Sequence, residues 1–137
     1  MYKTIMMFRR NPAMTREEFI EYYETKHSKF VAHIQGVRKY VRRYVTKPAD
    51  THGEPLDFDV IMETWFDDKA AGEAAFARIT SLEVWADIVK DEERLFDRTH
   101  KGRAIGGVID IEHETNLSSP TFETTYEAAK AKGVDVG

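Results

Sequence analysis

The chain has 137 residues, of which 42% are hydrophobic and 12% aromatic, which is enough for one domain with one core. Its formal net charge of −4 at pH 7 argues against nucleic-acid binding, which requires a concentrated basic surface. The absence of cysteine excludes disulfides, thiolate nucleophiles and thiolate metal sites. No run of about 18 apolar residues occurs, so we expect a soluble cytoplasmic protein without membrane contact.

The first third of the chain predicts a strand followed by a helix. Residues 2–9 are rich in β-favouring types and end before Pro12, which cannot donate to a strand ladder. Thr15 and Glu18 have the spacing of a capping box, so the first helix begins near Thr15. Gly36 is expected to end the helix. The apolar residues of the helix form one stripe along its length: Phe19, Ile20, Tyr23, Phe30, Val31 and Ile34.

Two strands separated by a loop are expected next. Alternating apolar and polar residues over about 36–47 predict the second strand, and residues 57–66 predict the third. The intervening segment 48–56 has turn-forming residues and no periodicity. The two strands are therefore antiparallel neighbours.

The remaining elements are a broken helical region and a last strand. Asp67 or Asp68 can cap a helix and Ser81 a further helical segment. Residues 103–112 predict a fourth strand, in which Gly106-Gly107 indicates a bulge or a close backbone approach. The order βαββαβ predicts an α+β ferredoxin-like fold: an antiparallel four-stranded sheet with helices on one face.

We expect the ferredoxin-like domain to occupy residues 1–112. Residues 113–137 then form a C-terminal extension, with a weakly amphipathic run over 122–132 that is a candidate lid or dimer arm.

The sheet face without helices predicts a homodimer. The face assigned to the helices carries Val37, Val41, Val45, Phe58, Val60, Met62 and Phe66. The other face carries Tyr40, Tyr44, Ile61, Trp65, Arg38, Arg42, Asp59 and Glu63. This mixture is too aromatic for open water and too charged for a dry core, so two sheets packed face to face would explain it best. The alternative is a solvated face with incidental aromatic residues.

His27 is the principal candidate for chemistry. It lies on the apolar stripe of the first helix, with Tyr23 four residues before it and Val31 four residues after it. One interpretation is a core histidine whose nitrogens are hydrogen-bonded. The other is an acid–base group, because imidazole changes charge near neutral pH and a neighbouring phenol or carboxylate can fix its tautomer.

The acidic residues have competing interpretations. Glu63 and Asp59 share one face of the third strand and could act as acid and base. An ion-pair network with Arg38 and Arg42 on the adjacent strand is the favoured interpretation.

Near the end of the second helical region, the carboxylates are expected to be mostly solvated: Asp91, Glu93 and Asp97. Glu92 differs, because it falls on an apolar stripe with Trp85, Ile88, Val89 and Phe96, and it is expected to reach inward or to mark a helix break.

No metal or cofactor motif is visible. His27 and His33 are six positions apart, which places them on different helix faces. A phosphate-binding glycine loop, a nucleotide fingerprint and a nucleophile elbow are all missing from the sequence. We expect any chemistry to need no metal and no cofactor.

Three stretches resemble EthD-domain proteins of the dimeric α/β-barrel superfamily. They are Phe8 to Thr15 continuing through Glu18-Phe19, Tyr22-Tyr23 and His27; Met62 to Asp67; and Asp91 to Asp97. The relatives include cofactor-independent polyketide cyclases, dehydratases and decarboxylases, a muconolactone isomerase, and proteins encoded beside ether-degrading oxygenases. The resemblance implies an acid–base role for His27.

The expected function is therefore a cofactor-independent lyase or isomerase acting on a small aromatic, polyketide-like or lactone substrate. The candidate catalytic residues are His27, Tyr23 and Glu63. The candidate substrate-binding residues are Tyr40, Arg42, Trp65 and Phe96. The alternatives are a non-catalytic small-molecule binding or accessory protein, and a cofactor-free or haem-dependent monooxygenase of the same superfamily.

Overall fold

The structure, a computed structural model, describes residues 1–46, 52–54, 58–81, 83–99, 105–118 and 127–133. Most of the predicted loop 48–56, the start of the predicted fourth strand and part of the predicted run 122–132 lie outside the described residues.

The elements follow the predicted βαββαβ order. The strands are β1 Tyr2–Phe8, β2 Lys39–Tyr44, β3 Val60–Phe66 and β4 Ile105–Ile109. The helices are α1 Arg16–Thr25, α2 Lys69–Ser81 and α3 Val84–Leu95, and a 3₁₀ segment, His27–His33, follows α1. The four strands form one sheet in the order β2-β3-β1-β4, and every adjacent pair is antiparallel. The predicted α+β ferredoxin-like fold is confirmed.

The first helical region differs from the single helix that was expected. The cap is as predicted, because the Thr15 hydroxyl accepts a hydrogen bond from the Glu18 backbone N–H at 3.1 Å. The α-helix, however, ends at Thr25 and continues as the 3₁₀ segment. The hydroxyls of Thr25 and Ser28 each donate to the carbonyl oxygen four residues earlier, at 2.7 Å, a type of bond that disturbs helical geometry. His27 consequently lies in the first turn of the 3₁₀ segment and not on α1.

The second helical region is broken as predicted. Asp68 caps α2 by accepting a hydrogen bond from the Ala71 backbone N–H at 2.7 Å. The expected cap at Ser81 is wrong: Ser81 is the last residue of α2, and its hydroxyl donates to the carbonyl of Arg78. In β4, a Cβ on Gly106 would lie 3.1 Å from the carbonyl oxygen of Ile5, so the predicted close backbone approach is present.

The faces of β2 are the reverse of those expected. Register pairs Tyr40 with Thr64 and Tyr44 with Val60, so the tyrosines share the helix-covered face with the apolar side chains of β3. Val41 instead lies opposite Glu63 on the face without helices. The tyrosine rings are long enough to reach α1, where Tyr44 makes edge-on contacts with the Phe19 and Tyr23 rings. The side chains of β2 point alternately to the two faces, and each of the two sets contains apolar residues, so the pattern alone does not show which set is buried. A shift of one residue exchanges every side chain between the faces.

The core lies between the sheet and the helices. Its main cluster of buried side chains comes from both layers: Phe8, Phe19, Tyr23, Val60, Leu95 and Phe96. The Phe8 and Phe96 rings stack with their centroids 4.0 Å apart, which ties β1 to the end of α3. The open face is the sheet surface without helices, and it carries Lys3, Ile5, Met7, Lys39, Val41, Arg43, Ile61, Glu63, Trp65 and Ile109.

Candidate active site

A buried carboxylate holds the imidazole of His27. The ring N–H at Nδ1 donates to Oδ2 of Asp91 at 2.7 Å, and both side chains are about nine-tenths buried. The other carboxylate oxygen of Asp91 accepts a hydrogen bond from the Tyr22 hydroxyl. That bond, together with burial, raises the pKa of Tyr22. Because an ionised carboxylate only accepts, Asp91 fixes the proton on Nδ1 and leaves Nε2 for other partners.

The imidazole lines a cavity of about 370 Å³ between the sheet and the helices. Most of the other side chains that line it are apolar: Met6, Phe8, Phe30, Val31, Ile34, Met62, Phe76, Ile79, Trp85, Ile88 and Val89. The polar groups are few, namely His27, Tyr40, Thr80, Glu92 and Arg98. An apolar space with a few convergent polar groups is typical of a small-molecule site. Among the described residues, Nε2 of His27 has no hydrogen-bond partner, so a molecule in this cavity could contact it.

Aromatic rings fix the plane of the imidazole. Tyr23, Phe30 and Phe96 contact it edge-on, with centroid distances of 5.2, 5.8 and 5.7 Å. Phe96 is therefore a support behind the ring and does not line the cavity, although it was expected to bind substrate. Such packing restricts rotation of the imidazole, which keeps its free nitrogen pointing in one direction.

Two tyrosines join this support to the sheet. The Tyr40 hydroxyl donates to the Tyr23 hydroxyl at 3.2 Å. Tyr23 is fully buried and does not line the cavity, and burial raises the pKa of its hydroxyl far above the ordinary value. Tyr23 thus contacts the imidazole without lining the cavity, whereas Tyr40 lines it.

Arg42 lies beside the site but not in it. Its guanidinium packs over the Tyr40 ring, 4.5 Å from the centroid, and its Nη2 donates to Glu24 at 2.7 Å. The hydrogen bond from Arg42 lowers the pKa of Glu24 against the opposing effect of burial. Arg42 therefore covers one wall of the cavity from outside.

Glu63 and Trp65 are not brought together with His27, because they lie on the open face of the sheet. The Trp65 indole N–H donates to Oε1 of Glu63 at 2.6 Å, and Arg43 donates to Oε2 at 2.8 Å. Lys3 lies over the Trp65 ring. The favoured prediction of an ion-pair network for Glu63 therefore holds, with Arg43 in place of the expected Arg38 and Arg42.

The residue that holds His27 was not predicted from the sequence. Asp91 was expected to be solvated within its run of charges, but it is only 8% exposed. Its spacing contained a signal, since it lies three residues after Ile88 and four before Leu95, both of which are buried. The inward orientation expected for the next residue, Glu92, is confirmed by its place in the cavity wall.

Two other kinds of site are missing from the part of the chain that the structure describes. It contains no group of three or more metal-ligating side chains. None of its helices has the length and hydropathy needed to cross a membrane.

The fold and this cavity define a ferredoxin-like α+β protein with an apolar cavity beside a buried histidine. The family model of the EthD domain matches residues 11–99, and the chain belongs to the EthD family. The resemblance seen in the sequence is thereby confirmed. No curated protein matches the chain significantly.

Several solved structures share the fold. An EthD family protein from Bacillus halodurans is 17% identical, with a TM-score of 0.56 over 82% of this chain and 99% of its own. A dimeric ferredoxin-like protein of unknown function from Bacteroides fragilis is 12% identical, with a TM-score of 0.51 over 80% and 95% of the two chains. A mutant form of SnoaB, a cofactor-independent oxygenase from Streptomyces nogalater, is 12% identical, with a TM-score of 0.53 over 86% and 97%. At these identities the likeness establishes the fold alone.

Proposed function

We propose that this protein is a cofactor-independent lyase or isomerase that acts on a small aromatic, polyketide-like or lactone substrate. The observation that carries the proposal is the His27 imidazole, which lines the cavity with Nδ1 bound by Asp91 and Nε2 unpaired among the described residues. In this role His27 transfers a proton at Nε2 while Asp91 orients the ring.

The cavity wall supports the proposed substrate class. Aromatic and aliphatic side chains from the sheet, the 3₁₀ segment, α2 and α3 favour a flat, weakly polar ring. Excluding water from such a space strengthens the electrostatic effect of the few polar groups. A lactone or an enolisable ketone has an acidic carbon next to a carbonyl group, and these two features suit a site with so few polar groups.

The test is conversion of a panel of β,γ-unsaturated lactones and enolisable aromatic ketones by wild-type protein and by His27→Ala. We expect the variant to lose at least about 100-fold in rate, the usual contribution of a positioned acid–base group. His113→Ala is the matched control, because His113 is exposed and does not line the cavity. Unchanged turnover in a folded His27→Ala variant would remove the mechanism.

We also propose a homodimer in which two open faces pack together. Ile5, Met7, Val41, Ile61 and Trp65 give this face an apolar component that a partner would cover. The dimeric Bacteroides fragilis protein of the same fold supports this arrangement. The division into a domain over 1–112 and an extension over 113–137 remains part of the proposal.

A cofactor-independent oxygenase is the second candidate function. The same base in an apolar cavity could generate a substrate carbanion that then reacts with O₂, and SnoaB, which shares the fold, is such an oxygenase. Oxygen consumption that depends on both substrate and His27 would favour this function. Ligand-induced stabilisation without any product would instead favour a binding protein.

A further inference from the structure

We infer that Glu92 is the second proton-transfer group of the cavity, so that the substrate loses a proton to Glu92 at one atom and gains one from His27 at another. This inference rests on the proposed function, because it assigns a second catalytic residue to the same site. It also identifies the substrate as one with two reactive atoms, such as a conjugated or conjugatable carbonyl compound.

The position of Glu92 in α3 places it next in the chain to the residue that binds the imidazole. Asp91, its neighbour in the chain, binds Nδ1 of His27, so one turn of α3 carries both the orienting carboxylate and the second carboxylate. Glu92 lines the same cavity as His27, and its side chain is 21% exposed. The two groups therefore line the same space.

Arg98 leaves half of the Glu92 carboxylate available. Nη1 of Arg98 donates to Oε2 of Glu92 at 3.0 Å, and Oε1 has no partner among the described residues. A charge-assisted hydrogen bond of this kind holds the carboxylate through one oxygen and leaves the other oxygen to accept a proton. Arg98 lines the cavity too, and its side chain is 46% exposed, so this end of the cavity is open to solvent.

Tyr40 is a further polar group of this cavity. Burial raises the pKa of its hydroxyl, the hydrogen bond with Tyr23 and the charge of Arg42 lower it, and the carboxylates of Glu24 and Glu92 make smaller raising contributions. Tyr40 lines the cavity and is linked through Tyr23 to the imidazole. Tyr40, His27 and Glu92 therefore all line the space in which the substrate would bind.

The proposed step conserves protons and electrons. Oε1 of Glu92 takes the proton from the carbon next to the carbonyl group, and the C–H electron pair passes into the conjugated enolate. The N–H at Nε2 of a protonated His27, whose charge Asp91 offsets, then gives its proton to the far carbon of that enolate. When the product leaves, the proton on Glu92 returns to Nε2 through water at the Arg98 end, and the net reaction is an isomerisation.

The experiment follows α-angelica lactone, a β,γ-unsaturated butenolide, in D₂O by NMR. Wild-type protein should replace the α-hydrogens by deuterium and form the α,β-unsaturated isomer. Glu92→Gln should lose at least about 100-fold in both exchange and isomerisation. His27→Gln should retain exchange at the α-carbon and lose isomerisation, because only the second proton transfer is removed.

The control is Glu93→Gln, which removes the same charge from the next residue of α3, an exposed one, and should leave both rates at the wild-type level. Exchange at the wild-type rate in Glu92→Gln, loss of exchange in His27→Gln, or no exchange by wild-type protein would each overturn the inference. The proposed function fails separately, if His27→Ala keeps its turnover.

Discussion

The two faces of the sheet each bury a carboxylate that accepts a hydrogen bond from an aromatic ring N–H. On the helix-covered face the pair is Asp91 with His27, and on the open face it is Glu63 with Trp65. The His27 ring lines a cavity, whereas Lys3 and Lys39 lie over the Trp65 ring. The two pairs therefore differ in what lies next to the ring. The cavity beside His27 makes its pair a candidate active site, whereas the lysines over Trp65 make that pair part of an ion-pair network.

The largest expected effect is on turnover, and it tests the pair of Asp91 and His27. Asp91→Asn should reduce the proposed activity by about 100-fold or more, because the amide no longer fixes the imidazole tautomer. Glu63→Gln is the matched change on the open face and should leave turnover within about 2-fold of wild type, since most single effects outside a site are small. Steady-state rates of the two variants test this, and equal losses would contradict the distinction between the faces.

The second effect is on association, and it concerns the open face. Ile61→Asp places a second carboxylate in the middle of that face, beside Arg43, whose guanidinium already binds Glu63, and a partner sheet would have to remove the added charge from water. We expect the dimer dissociation constant to rise at least about 10-fold, which corresponds to about 1.4 kcal/mol.

Sedimentation velocity over a range of concentrations measures this constant. Ala74→Asp adds the same charge to the exposed surface of α2 and should leave association unchanged. A monomeric wild-type protein, or an Ile61→Asp variant as tightly associated as wild type, would contradict the proposed interface.

The fold could be predicted because alternation and capping leave clear local signals. Thr15 and Asp68 cap the helices that their positions predicted. The faces of β2 could not be assigned from the pattern, because Val41 and Tyr40 are both compatible with burial. The choice depends on contacts from Tyr40 and Tyr44 to α1, which are distant in sequence.

The candidate site was predicted only in part, and for a similar reason. His27 stands out as a polar residue among apolar ones, but its partner Asp91 is 64 residues away within a run of acidic side chains. Helical spacing between Ile88 and Leu95 marks Asp91 as inward-facing, although it does not say which group it meets. Glu63 was expected at the site because its face of β3 was predicted to be half-buried. Glu63 is indeed buried, but the cavity lies on the other face of the sheet.

The smallest expected effect is on stability, and it tests the pair of Glu63 and Trp65 on the open face. Burial opposes ionisation of Glu63, but the hydrogen bonds from Arg43 and Trp65 prevail and lower its pKa below the usual 4.5. A carboxylate with a lowered folded-state pKa stabilises the fold above its unfolded-state pKa, and this contribution is lost as the pH falls through the folded-state value. Glu63→Gln should therefore cost about 1 kcal/mol at neutral pH, the usual net contribution of such a hydrogen bond.

Urea unfolding of wild-type protein and Glu63→Gln at neutral pH and at roughly pH 3 measures this difference. The difference between the two free energies of unfolding should shrink at the lower pH, because protonation of Glu63 removes the ionised form that the hydrogen bonds stabilise. Arg43 is about half exposed, so added salt should reduce the neutral-pH difference as well. A difference that is the same at both pH values would show that Glu63 acts by packing, and the open face would then hold no charge network to set against the His27–Asp91 pair.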